Sequence, residues 1–312
     1  MKFSTLSTFS LVYITTVATT AASSSNGQCA VWYKVLNDIQ TNLFEGGKCG
    51  DDAHDALRLS FHDAIGYSPK MFNSKPPQFG GNGADGSLIK FASTELNYHA
   101  NNGLEEIVGD LRNLADKYKV SYGDIIQFAA AVSVGNCQGG PSSRVPFMAG
   151  RPDATQAAPD LLVPEPFDSV EKMLARVGDA GLSPEELVDL LASHSVGDQE
   201  HIDPSIPGTP FDTTPSILDT KFYRDTLVPG HIWPGDGQYT GEAKSPTPGQ
   251  FRLQSDVALA FHPRTILHWI SLALGGQDRM ASRFATAMGK MALLGQNPKI
   301  LYDCSAVIPV PK

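Results

Sequence analysis

The chain has 312 residues, is 41% hydrophobic and carries a formal net charge of -9. That is enough apolar material for a substantial core in one large domain. The acidic balance gives no electrostatic reason to bind nucleic acid or an anionic membrane, and suits cations or small neutral molecules better.

In chain order, the first element is a leader. Lys2 is a positive n-region, 9–17 is apolar, and 19–25 is rich in small residues, so 1–22 reads as a secretory signal peptide cut near Ala21 or Ala22. The apolar run falls short of the ~20 residues that a membrane span needs. An extracellular location changes the meaning of Cys29, Cys49, Cys137 and Cys304, which contain no CxxC pair. Two disulfides are favoured over a zinc site, and spacing alone leaves three pairings open. No N-x-S/T sequon occurs, so N-glycosylation is not expected.

Helical periodicity follows over 31–42, 51–64, 104–119 and 124–131, with little period-2 alternation. Ser183-Pro184-Glu185-Glu186 supplies an N-cap, a proline at N1 and a glutamate at N3, and starts a helix running towards His194. Long Gly/Pro/Asp-rich loops occupy 68–86, 139–168 and 197–219, and loops of that length usually have work to do. The fold class expected is mostly α.

Arg58 and His62 are four residues apart and share one helix face. Alone, such a pair is most simply a surface arginine and a capped histidine. The chemical reading is sharper. A neutral histidine can take a proton from a peroxide oxygen and return it to the leaving oxygen. An arginine supplies fixed positive charge where negative charge builds. Phe61 would keep the site narrow and apolar.

The segment L-R-L-S-F-H-D-A-I-G-Y-S-P resembles the distal helix of class II haem peroxidases, the secreted fungal group containing lignin and manganese peroxidases. The resemblance continues through G-G-N-G-A-D-G-S, H-A-N-N-G-L-E-E-I-V, D-I-I-Q-F-A-A-A-V, G-R-P-D-A, V-P-E-P-F-D, L-L-A-S-H-S, P-G-T-P-F-D-T-T-P, R-L-Q-S-D and D-C-S-A-V-I-P. It implies a single haem peroxidase domain over 23–312. Haem b would lie between a distal lobe of about 29–165 and a proximal lobe of about 166–312.

The resemblance also assigns roles. Arg58, Phe61 and His62 match the distal catalytic residues, Asn101 the residue that orients His62, and Glu95 the residue that holds Asn101. His194 matches the axial iron ligand and Asp256 its hydrogen-bond partner. Asp63, Gly83, Asp85 and Ser87 match a distal calcium site. Ser195, Asp212, Thr214, Ile217 and Asp219 match a proximal one, and oxygen-only sets of this kind suit calcium. The pairings implied are Cys29–Cys304 and Cys49–Cys137. Without the family, these glycines and aspartates would be turn residues.

Substrate is less defined. Lignin peroxidases of this group carry an exposed tryptophan five residues before the proximal histidine, where this chain has Asp189; Trp32 and Trp269 read as core. Asp51, Asp55 and Glu200 fall at the three manganese(II)-binding carboxylate positions, with side-chain lengths swapped relative to the family. Hard oxygens suit manganese, and acids at a helix N-terminus also favour its dipole; both readings stand. The function expected is peroxide-driven, one-electron oxidation of small phenolic or lignin-type aromatics, with manganese(II) as an additional candidate substrate, by a monomer. The rivals are a secreted haem-binding or wall protein without turnover, and a zinc hydrolase using His194 and His201, which lacks the H-E-x-x-H spacing.

Overall fold

The computed structural model describes residues 27–310; the leader read at 1–22 lies outside the described residues. Helix α1 (Ala30–Asp38) buries Trp32 and Val35, then widens into a π-turn over Ile39–Leu43. Helix α2 (Asp51–Ala64) has the bounds that its apolar stripe predicts, and starts with Asp51 and Asp52 in the first turn, where carboxylates favour the helix dipole. Helix α3 (Glu105–Tyr118) leads to α4 (Tyr122–Asn136), which is buried on every face from Gly123 onward. The sequence suggested only 124–131 for α4. A helix surrounded by protein has no polar stripe to mark its ends, and its cap, Ser121 Oγ accepting from Asp124 N at 3.2 Å, is a single residue.

Helices α2 and α4 pack side by side. Gln127 Nε2 donates to Ser60 O at 3.1 Å and Ser133 Oγ to Ala53 O at 2.5 Å, so polar groups along this seam are satisfied. The second half holds α5 (Val170–Ala180), α6 (Pro184–Leu190), a 3-10 turn over Leu191–Val196, α7 (Lys221–Leu227), α8 (Gln254–Phe261), α9 (Ile266–Leu274) and α10 (Gln277–Met291). The capping box of α6 is complete: Ser183 Oγ accepts from Glu186 N at 3.1 Å, and Ser183 N donates to Glu186 Oε2 at 2.7 Å. Helix α6 packs against α10, and the 191–196 turn lies against both α2 and α7. That contact brings the two halves together at the site.

Strands are minimal. β1 (Met148–Ala149) pairs antiparallel with β4 (Tyr302–Asp303), and β2 (Asp198–Gln199) with β3 (Thr209–Pro210). The disulfides are Cys29–Cys304 and Cys49–Cys137, closing 275 and 88 residues of sequence. Trp32 and Trp269 are core residues, 1% and 0% exposed.

The 139–168 loop is fastened from inside. Arg151, with a side chain 0% exposed, donates to Asp124 Oδ1 at 2.8 Å, to Met148 O, and to Ala292 O at 2.7 Å. Asp124 also accepts from Gly150 N at 2.6 Å and Arg151 N at 3.2 Å. Removing one partner of a buried pair leaves a charge with no counterpart. Asp124→Ala is therefore expected to destabilise the protein by about 3–5 kcal/mol in denaturant unfolding; a loss below about 1 kcal/mol would contradict the fastening role.

Candidate active site

Helix α2 carries Arg58, Phe61 and His62. His62 Nδ1 lies 2.9 Å from Asn101 Oδ1, and Asn101 Nδ2 donates to Glu95 O at 2.9 Å. A main-chain carbonyl can only accept, so the Asn101 amide has one orientation, with its oxygen towards His62. Nδ1 must then carry the imidazole proton, and Nε2 keeps a free lone pair. Burial, reinforced by the Arg58 charge, pushes the His62 imidazole down to about 3. It is neutral, a base in waiting.

Arg58 Nη2 donates to Ala100 O at 3.1 Å and Asn102 O at 2.9 Å. The guanidinium is thus steered by the same 3-10 turn, His99–Asn101, that supplies Asn101. Glu95 acts differently from the simplest reading of its role. Its backbone carbonyl holds Asn101, while its carboxylate Oε1 accepts from Ala158 N at 2.9 Å. Burial raises that carboxyl to about 7.

Across the site, His194 sits in the 3-10 turn after α6. Its Nδ1 is 2.9 Å from Asp256 Oδ2, on the first turn of α8. Asp256 is 2% exposed, and its Oδ1 has no partner. Phe211 and Phe222 flank the imidazole, at ring-centroid distances of 5.3 and 5.5 Å. An axial histidine needs one nitrogen for iron and the other donating to a carboxylate. His194 meets that requirement, since its Nε2 makes no hydrogen bond among the described residues, and His62 presents a second free Nε2 from α2. These residues fit a haem.

Two oxygen cages adjoin the histidines. In the first, Asp63 Oδ2 accepts from Gly86 N at 3.0 Å, and Asp85 Oδ1 from Ser87 N at 3.1 Å, while buried Asp85 Oδ2 has no partner. Burial and the neighbouring Asp85 raise the Asp63 carboxyl well above the usual range, and burial raises Asp85 to about 6. Gly83 adopts φ +73°, and a Cβ there would lie 2.1 Å from Leu294 O, so only glycine allows this approach. In the second cage, the single Ser195 hydroxyl proton has two acceptors in reach, Asp212 Oδ2 at 2.8 Å and Ile217 O at 3.0 Å, and Ser195 Oγ accepts from Asp219 N at 3.1 Å. Thr214 Oγ1 donates to Asp219 Oδ2 at 3.1 Å. All five proximal candidates therefore converge. Two crowded buried carboxylates with an unpartnered oxygen fit a divalent cation better than an empty loop.

The acidic edge is arranged differently from the sequence expectation. Ligand atoms of Asp51, His54 and Asp198 lie within 4.8 Å of one another. Asp55, raised to about 6 mainly by burial, also feels Asp198 and Asp51. Glu200 is exposed beyond β2 and is not in that group, though its charge reaches Asp198. Sequence reasoning missed Asp198; the signal was its position two residues before Glu200, since residues i and i+2 of extended chain lie on the same side. Asp189, at the tryptophan position of lignin peroxidases, is 3% exposed and accepts from His268 Nε2 at 2.7 Å and Arg283 Nε at 2.9 Å. It is a buried ionic hub rather than a surface relay.

A helical body with one buried imidazole held by an asparagine and a second backed by a buried aspartate, each with Nε2 free, is the arrangement expected of a peroxidase. The chain matches the peroxidase family model over residues 35–274 and the fungal peroxidase extension region over 279–312. It is 50% identical over 293 residues to versatile peroxidase VPS1 of Pleurotus eryngii, covering 94% of this chain and 78% of that protein. It is 48% identical to manganese peroxidase 3 of Phlebia radiata, covering 93% and 79%, and 46% identical to ligninase LG6 of Phanerodontia chrysosporium, covering 93% and 79%. The chain belongs to the fungal branch of the peroxidase family, and is a haem-dependent oxidoreductase that uses peroxide.

The distal geometry makes Asn101 and Glu95 separable. Asn101→Ala should slow the reaction of the ferric enzyme with peroxide by about 10–100-fold, the usual cost of removing a residue that orients a functional imidazole. Glu95→Gln keeps the main-chain carbonyl, and should retain at least about half the wild-type rate. Stopped-flow measurement of both variants checks this; equal losses would put the Glu95 carboxylate in the relay.

Proposed function

We propose that this protein is an extracellular peroxidase that oxidises phenolic and lignin-type aromatic compounds, and manganese(II), one electron at a time at the expense of hydrogen peroxide. The observation that carries the reading is the pair of histidines whose Nδ1 atoms are both committed to buried acceptors. Haem bound at His194 supplies the redox-active iron that takes up the oxidising power of peroxide. The residues of the chain do the rest.

His62 Nε2 takes the proton from one oxygen of hydrogen peroxide and returns it to the other, which leaves as water when the O–O bond breaks. Arg58 stabilises the negative charge that builds on the departing oxygen. Asn101 holds the tautomer that leaves Nε2 free. Asp256 accepts from His194 Nδ1 and makes that imidazole a stronger donor. Phe211 and Phe222 exclude water from the proximal side. The leader at 1–22 directs secretion. Among the described residues no single helix is long and apolar enough to cross a membrane.

Asp63, Gly83, Asp85 and Ser87 would hold one calcium ion, and Ser195, Asp212, Thr214, Ile217 and Asp219 another. Asp63 directly follows His62 and Ser195 directly follows His194, so each ion would anchor the segment that bears a functional imidazole. Manganese(II) would bind as substrate at the acidic edge, through Asp51, Asp55 and Asp198, with Glu200 at the rim.

Three outcomes test this reading. His62 must be neutral to accept a proton, and its imidazole sits at about 3 rather than the ordinary 6.5. The rate constant with peroxide should therefore stay level from pH 7 down to about 4 and fall through a midpoint near 3; a midpoint near 6.5 would contradict a buried neutral base. Chelator that strips the calcium, with loss verified by atomic emission, should abolish most activity, and added calcium should restore it; full activity in the stripped enzyme would remove the anchoring role. Formation of chelated manganese(III) should drop at least about tenfold in Asp198→Asn and less in Glu200→Gln. The opposite order would return the site to Glu200.

A further inference from the structure

The segment between α7 and α8 folds back on the loop that follows β2, and three carboxylates meet there. One oxygen each from Asp203, Asp236 and Glu242 lies within 4.8 Å of the other two. Asp203 is 0% exposed and Glu242 5%. Each has one oxygen already engaged: Asp203 Oδ1 accepts from Ser205 N at 2.9 Å and Ser205 Oγ at 2.6 Å, and Glu242 Oε1 accepts from Gly235 N at 3.1 Å. The remaining oxygens, Asp203 Oδ2 and Glu242 Oε2, are buried and have no hydrogen-bond partner.

The backbone makes room for this meeting. A Cβ on Gly235 would lie 1.8 Å from Asp203 Oδ2, so the carboxylate occupies space that any other residue would fill. Exposed Asp236 completes the group, its Oδ1 accepting from Gln238 N at 3.0 Å. Among the described residues no lysine, arginine or histidine forms an ion pair with any of the three. Lys244, on the same segment, lies over the Trp233 ring instead, at 5.5 Å. Like charges with unpartnered buried oxygens are costly without a counter-ion.

We infer that Asp203, Asp236 and Glu242 form a further cation site, for a hard divalent ion of the calcium type. Oxygen ligands sit about 2.3–2.6 Å from calcium, so three oxygens up to 4.8 Å apart can surround one ion. The site shares no residue with the cages beside His62 and His194. Its two buried ligands are set in different parts of the fold. Asp203 is tied to β2 by Gln199, which accepts from Asp203 N at 3.0 Å and donates to Asp203 O at 3.1 Å. Glu242 bridges to Leu253, just ahead of α8 and Asp256. An ion here joins the strand that follows His194 to the segment that delivers its partner, and acts as a clamp on the proximal pair.

The test is a count of ions. Holoenzyme, Asp236→Lys and Glu242→Gln are dialysed to equilibrium against 1 mM calcium, on the order of the weaker oxygen sites, and bound calcium per chain is read by atomic emission. Each variant should bind one ion fewer than wild type, and its melting temperature should rise less on addition of calcium than that of wild type. The difference is independent of how many ions the other cages hold, so it is readable even if those assignments fail. Asp236 is exposed, and its replacement keeps the test valid should Glu242→Gln fold poorly. Equal counts in wild type and variants would overturn the site, and would mean that Asp203 and Glu242 face each other across a shared proton.

Discussion

Each of the two central imidazoles gives its Nδ1 to a buried acceptor, and this commitment governs what surrounds it. An amide oxygen on one side and a carboxylate on the other fix two tautomers in the same sense, with both Nε2 atoms left over. The acceptors come from far along the chain, 39 residues from His62 and 62 residues from His194. Much of the fold reads as a means of holding them. The 3-10 turn at His99–Asn101 presents Asn101, which Glu95 O orients, and carbonyls at Ala100 and Asn102 restrain Arg58, while α8 delivers Asp256.

Holding these acceptors requires loops, and the loops are stabilised by buried charge. Arg151 of the 139–168 loop and Asp124 of α4 neutralise each other. Among the described residues, Asp63 with Asp85, Asp212 with Asp219, and Asp203 with Glu242 have no such basic partner, which is the basis for the cations proposed there. The disulfides close the periphery, one at the two chain ends and one from the start of α2 to the end of α4. Asp189, at the position where lignin peroxidases carry their tryptophan, is instead a buried ionic hub with His268 and Arg283.

Local physics made part of this legible. The α2 boundaries followed from an apolar stripe with acids at its start, and α6 from a complete capping box. Four-residue spacing put Arg58 and His62 on one helix face, and the family resemblance gave the pair its role. Other features depend on tertiary placement. Helix α4 is covered on all sides, so its length had no amphipathic mark, and α1 hides a π-turn within an ordinary stripe. At the acidic edge, ligand atoms of Asp198 lie within 4.8 Å of those of Asp51 and His54, a meeting of residues more than 140 positions apart that no local spacing announces. Asp203 and Glu242 are 39 positions apart and read as turn residues until the intervening segment folds back. Glu95 acts on Asn101 through its main chain, which no side-chain pattern reveals.

The central claim is that Asp256 sets the character of His194, and the most direct measurement is the iron–imidazole stretching frequency of the reduced haem protein by resonance Raman spectroscopy, in wild type and Asp256→Asn. A carboxylate that accepts from Nδ1 makes the imidazole a stronger donor, so the stretch should fall clearly in the variant while haem remains bound. An unchanged frequency would show that the 2.9 Å contact between His194 and Asp256 does not tune the ligand, and would contradict the account of the proximal side.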